Sequence, residues 1–118
     1  MQGYKIKIQQ FEGPFDLLLF FIERDELEIM DIPIATITED FLAYIRELES
    51  LNIDVASEFI LVAATLMRIK AKMLIPRKEL DEEGNEIDPR EELAQRLLEY
   101  KRYKEILEEM RAHEDLRS

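Results

Sequence analysis

Residues 54–75, DVASEFILVAATLMRIKAKMLI, decide how this chain is read. Wound at about 100° per residue, Val55, Phe59, Val62, Leu66, Ile69 and Met73 fall within about 40° of one direction and form a core face. A second set, Ala56, Ile60, Ala63, Ala64, Met67, Ala71 and Leu74, fills the adjoining quadrant. The apolar arc therefore covers about 220°, where a helix lying on one core needs little more than about 100°. Ser57, Glu58, Thr65, Arg68 and Lys72 make the polar stripe. At about 1.5 Å per residue the stretch is a rod of roughly 30 Å, enough to span a small domain. Two readings fit the wide arc. Either helices of the same chain flank the rod on both sides, or one flank, rich in alanine and open to close backbone approach, receives helices of another protein. Lys70 lies inside the arc and, if covered, needs a partner or room to snorkel, the partner being an acid. Under the first reading the chain supplies that acid, and under the second the other protein does.

The rest of the composition sets bounds around this rod. With 118 residues and 47% hydrophobic content the chain can bury one real core and has little room for two. A formal charge of −11 makes it a poor ligand for phosphate backbone, so no direct nucleic-acid binding is expected. Without cysteine there are no disulfides and no thiolate metal sites. Apolar runs are short and interrupted, which excludes a membrane span and leads us to expect a cytoplasmic protein.

In chain order, Tyr4, Ile6 and Ile8 alternate with Lys5, Lys7 and Gln9, the period of a short strand whose pairing partner the sequence does not name. Gly13-Pro14 breaks it and starts a helix to about Arg24. Phe15, Leu17, Leu18, Leu19, Phe20, Phe21 and Ile22 make that helix apolar nearly all round, so it must be enclosed. From Asp31-Ile32-Pro33 an ordinary amphipathic helix follows, with Ile34, Ile37, Phe41, Ile45 and Leu48 inward and Thr36, Thr38, Glu39, Asp40 and Arg46 toward water. Asn52 ends it, and Asp54 is the expected N-cap of the rod. Pro76 to Ile87 reads as a solvated acidic loop with one Gly-Asn turn. Asp88-Pro89-Arg90-Glu91 is a capping sequence for a last helix reaching about Arg111. Its early apolar residues, Leu93, Ala94, Leu97 and Leu98, and its later ones, Tyr100, Tyr103, Ile106, Leu107 and Met110, point about 130° apart. That is far more than the roughly 20° of coiled-coil drift per heptad, so the first half is expected to dock and the second to project an apolar stripe outward. The fold class is thus mainly α: a small helical bundle on one long central helix, with a short N-terminal β-strand and a protruding C-terminal helix.

No catalytic constellation emerges. Gly3, Gly13 and Gly84 are isolated and cannot cradle a phosphate. His113, the single histidine, stands in a charged tail, and without a second histidine or a cysteine no triad can be assembled. Asp81, Glu82 and Glu83 do not make a calcium loop, because Gly84 falls at position four where the EF-hand needs it at six. Neither enzyme activity nor a cofactor or metal is expected.

The blocks FEGPFDLLLFFI, DIPIATITEDFLAYI, DVASEFILVAATLMRIKAKMLIP and DPREELAQRLLEYKRYK, spread over residues 4–105, closely resemble the N-terminal half of the segregation and condensation protein A family, the bacterial kleisins. The resemblance implies a non-catalytic scaffold of the SMC-ScpA-ScpB complex acting in chromosome segregation. Residues 1–75 would then be a helical domain binding the SMC neck coiled coil, 76–88 a linker, and 89–118 the start of a segment that binds the ScpB dimer. Carried onto this sequence, it implies an SMC-facing set of Ile60, Ala63, Ala64, Met67, Arg68, Lys70, Ala71 and Leu74, and an ScpB-facing set of Tyr100, Tyr103, Ile106, Leu107 and Met110. Family chains continue into a winged helix beyond the point matching Ser118, so the resemblance implies a truncated piece that cannot close a ring alone. Self-association to hide the apolar flank is a further expectation. The competing function class is a free-standing helical adaptor or regulator with an unrelated protein partner.

Overall fold

Pro14, whose fixed φ suits a first helical residue and whose missing N–H is not needed there, opens α1 (Pro14–Arg24) in the computed structural model, which describes residues 11–117. A 3₁₀ turn, Ile29–Asp31, leads to α2 (Ile34–Ser50), then α3 (Ser57–Leu74) and α4 (Glu91–Arg117). The fold is mainly helical. The strand expected at Tyr4 to Ile8 lies outside the described residues.

Both α1 and α2 end in the same backbone device. The Leu27 N–H donates to the Ile22 carbonyl at 2.8 Å and the Glu26 N–H to Glu23 at 3.3 Å, with Glu26 at φ 54°. At the end of α2 the Ile53 N–H donates to Leu48 at 2.9 Å and Asn52 to Glu49 at 3.0 Å, with Asn52 at φ 60°. These are Schellman turns, in which one left-handed residue lets two otherwise orphaned carbonyls find donors.

Leu17, Leu18, Phe41, Leu66 and Leu97 have no exposed surface and mark the centre of one core shared by all four helices. α1 lies against α2, α3 and α4, so its nearly continuous apolar surface is covered from three sides. Aromatic contacts tie this together: Phe11 meets Phe20 at 5.3 Å and Tyr44 at 5.6 Å, and Phe59 of α3 stacks on Phe41 of α2 at 6.2 Å.

Two local expectations are corrected. Asp54 does not cap α3. The cap position is Ala56, whose carbonyl receives the Phe59 N–H at 3.0 Å, and no side chain bonds there. Residues before it run into the helix so that Val55 packs on the core, leaving Asp54 two positions upstream in solvent. Thr38, expected to face water, is 1% exposed, and its hydroxyl finds no hydrogen-bond partner among the described residues. It follows Ile37 on the wheel of α2, a helix covered on two sides by α1 and α3, so the buried arc is wider than the ordinary stripe its sequence suggests.

The acidic loop is folded on itself. Leu80 bridges Glu86, the Asp81 carboxylate accepts the N–H groups of Glu83 at 2.9 Å and Asn85 at 2.8 Å, and Gly84 turns the chain at φ 87°. Asp88 then accepts the Arg90 N–H at 2.9 Å, as a residue capping the next helix should. Arg90 fastens α4 to the body: its guanidinium donates to the Ile32 carbonyl at 2.8 Å and to Asp31 at 3.1 Å, and pairs with Asp88 at 2.8 Å. The hydrogen bonds from the Arg90 guanidinium and N–H to Asp88 hold that carboxyl below the usual carboxylate range.

Candidate functional site

The rod α3 turns Phe59, Val62, Leu66 and Ile69 into the core, with Leu66 fully buried, as its spacing requires. Its opposite side is open. Ile60 is 47% exposed, Met67 53% and Leu74 77%, and the small residues Ala64 and Ala71 between them are exposed as well. With Arg68, these are six of the eight rod residues expected to face a partner. The chain itself takes the other two. Ala63 is 6% exposed and belongs to the core, and the Lys70 ammonium pairs with Glu39 of α2 at 3.3 Å. The acid that Lys70 required thus comes from the same chain on the α2 flank, while the outward flank has no cover among the described residues.

The open face is broader than the sequence reading made it. Leu61, 69% exposed, and Ile75, 48% exposed, continue it on the side of Arg68. Leu61 sits among Thr65, Arg68 and Lys72 on the wheel, so it is hidden by a polar stripe. The seven-residue spacing Leu61, Arg68, Ile75 is the signal that would have found it.

α4 divides as its two apolar directions require. Leu93, Ala94 and Leu97 are buried in the common core. Tyr100 is half-buried, its ring 6.3 Å from Phe15, and that burial, with Asp16 and Glu12 nearby, pushes its phenol pKa up. Beyond it Tyr103 is 57% exposed, Ile106 50% and Met110 60%, with Leu107 half-buried beside them. Lys104 clasps the helix to α1 by pairing with Asp16 at 2.5 Å. Among the described residues, α4 adds none to the common core past that pair. This explains a Cα radius of gyration of 17.0 Å, where a compact chain of this length has about 13 Å.

α3 and the far part of α4 thus each present an exposed apolar stripe. Among the described residues no three acidic or histidine side chains are placed to hold a metal, and no helix is long and apolar enough to cross a membrane. His113 is exposed on the free end of α4.

Comparison of the sequence with known proteins finds relatives. The segregation and condensation protein ScpA family matches residues 21–118. Segregation and condensation protein A of Brevibacillus brevis is 55% identical over 119 residues, 95% of this chain and 47% of that protein. The protein of the same name from Caldanaerobacter subterraneus is 54% identical over 87% of this chain and 42% of its own length, and that of Halalkalibacterium halodurans is 52% identical over 100% and 47%. The chain thus spans a little under half the length of these curated relatives. On the strength of a family match across all but its first twenty residues and of relatives more than half identical, the chain belongs to the segregation and condensation protein ScpA family.

Proposed function

We propose that this chain is a non-catalytic kleisin scaffold in chromosome segregation and condensation, joining the neck coiled coil of an SMC protein through the outward face of α3 and a ScpB dimer through the stripe on α4. One observation carries this reading: α3, apolar over most of its girth, leaves Ile60, Leu61, Met67 and Leu74 in water although three other helices among the described residues pack with it in one core. An exposed, contiguous apolar strip of this kind on a monomer marks a binding surface, and a second helix pair laid along about 30 Å of rod buries an interface of the usual size, about 800 Å² per partner. Alanine at 64 and 71 lets a partner helix approach closely. Glu39 answers Lys70 within the chain, so the partner needs no acid there.

The test is co-elution with a headed SMC neck fragment, and separately with ScpB. Wild type should bind the neck, and Met67→Glu or Ala64→Glu should fold normally, because both positions are exposed, yet lose about 100-fold or more in affinity, because a carboxylate would be buried without a partner. Tyr103→Ser with Met110→Ser should weaken ScpB and leave the neck unaffected. If the glutamate variants bind like wild type, the face is wrong.

A further inference from the structure

Beside the open face of α3 runs a groove of about 280 Å³ between the rod and the first turns of α4. Its floor is apolar, with Phe15, Val62, Ile69 and Leu93 from three different helices. Its rim is cationic: Arg68 and Lys72 from the rod, and Arg96 from α4. In a chain of net charge −11 such a rim runs against the general field. These cations are also weakly engaged. Arg68 has no ion pair among the described residues. Lys72 reaches only the exposed loop residue Glu79 at 3.1 Å, and Arg96 only Glu92 of its own helix at 3.3 Å, both pairs lying largely in solvent and so contributing little. With Glu92 as the one acid among the lining residues, the groove carries a surplus of positive charge.

We infer that this groove is the electrostatic half of the partner interface, receiving an apolar side chain flanked by carboxylates from the same SMC neck helix pair that covers α3. The inference rests on the function proposed above and adds to it the chemistry of the partner's edge. Continuity supports it, since Leu61 and Arg68 belong both to the outward face and to the groove, so a body seated on one overhangs the other. Charge complementarity supports it as well. An acidic chain repels acidic partners everywhere except where its cations gather. A neck helix with carboxylates on the overhanging edge is therefore admitted in one placement along the rod, with its acids over Arg68, Lys72 and Arg96, and is rejected in shifted or reversed ones.

The experiment measures neck affinity of Arg68→Glu with Arg96→Glu, of the milder Arg68→Ala with Arg96→Ala, and of Met67→Glu, at about 50 mM and 300 mM salt, with thermal unfolding of each variant as the folding control. Arg96 is decisive because it lies on α4, outside the rod surface. The double reversal should weaken binding about 10- to 100-fold and the double alanine variant about 3- to 10-fold, the loss shrinking at high salt as screening shortens the reach of the charges. The alanine pair, which adds no repulsion within the chain, decides the matter if the reversal disturbs the fold. A loss under threefold for the alanine pair, or tighter binding, overturns the inference. When that happens while Met67→Glu still abolishes binding, the face on α3 stands and only the groove falls. When wild type does not bind the neck at all, both fall together.

Discussion

α1 and α3 carry the same warning in their sequences and meet opposite fates. Each is apolar over far more of its circumference than one contact face needs. α1 is only eleven residues long and lies against three other helices, so Leu17, Leu18, Leu19, Phe21 and Ile22 all disappear into the core. α3 is eighteen residues long, and its outward side keeps Ile60, Leu61, Met67 and Leu74 in water. A wide apolar arc on the wheel therefore does not say whether the chain's own helices will cover it. Chain geometry decides that. Among the described residues α1 precedes the other helices and is wrapped by them, whereas the segment after α3 leaves through the folded acidic loop and returns as α4, which packs its buried residues on the α1 side and meets the rod across a groove.

The sharpest way to break this comparison is to truncate one side chain in each helix. Leu18→Ala removes a side chain with no exposed surface from close-packed surroundings and should lower unfolding free energy by about 2–5 kcal/mol. Met67→Ala should change it by less than about 0.5 kcal/mol, since the side chain is half in water already. Urea denaturation at fixed protein concentration reads both. A large loss for Met67→Ala, or a stability that climbs with protein concentration, would mean that a second copy covers α3 in solution and that its bareness belongs to the single chain only.

A smaller effect tests the helix between them. α2 touches both α1 and α3, and Thr38 on it is buried with an unpaired hydroxyl. Thr38→Val replaces that hydroxyl with a methyl group of the same shape and should raise stability by about 1 kcal/mol in the same denaturation assay. No gain would mean that the hydroxyl is satisfied in solution.

Thr38 also shows what the sequence withheld. Strong periodic signals and turn chemistry are legible: Pro14 starts α1, Asn52 ends α2, Asp88 starts the capped turn into α4, and the two apolar directions of α4 separate buried Leu93, Ala94 and Leu97 from exposed Tyr103, Ile106 and Met110, while Tyr100, expected in the outward set, packs on Phe15. Covering two neighbours instead of one widened the buried arc of α2 past its polar edge, which no period in a single helix can reveal. Capping preference is local and points to Asp54, while the entry of α3 brings Val55 onto the core and leaves Asp54 upstream of the cap. At the candidate site the exposed stripe was readable, but Ala63 and Lys70 were assigned to it because the wheel cannot tell which edge of a wide arc the neighbouring helix will take. Arg96 was invisible for a related reason. It joins Arg68 and Lys72 only when two helices separated by a loop come side by side.

The finest contrast is between the residues that close α1 and α2. Both take the left-handed conformation in the same hydrogen-bonded turn, but one is Glu26 and the other Asn52. A left-handed residue with a Cβ sits too close to the following carbonyl, at a cost of roughly 1–2 kcal/mol, and asparagine relieves this better than glutamate because its short polar side chain bonds locally. Glycine removes the clash but loses more entropy on folding, about 0.5–1 kcal/mol, so the two effects partly cancel. Glu26→Gly should therefore stabilise the chain by about 0.5–1 kcal/mol, and Asn52→Gly should leave it nearly unchanged, both read as shifts of the urea midpoint at constant slope. The sign at Glu26 is what matters. If glycine there destabilises, the exposed Glu26 side chain contributes something its surroundings do not reveal, and the end of the well-covered helix would be more than a turn.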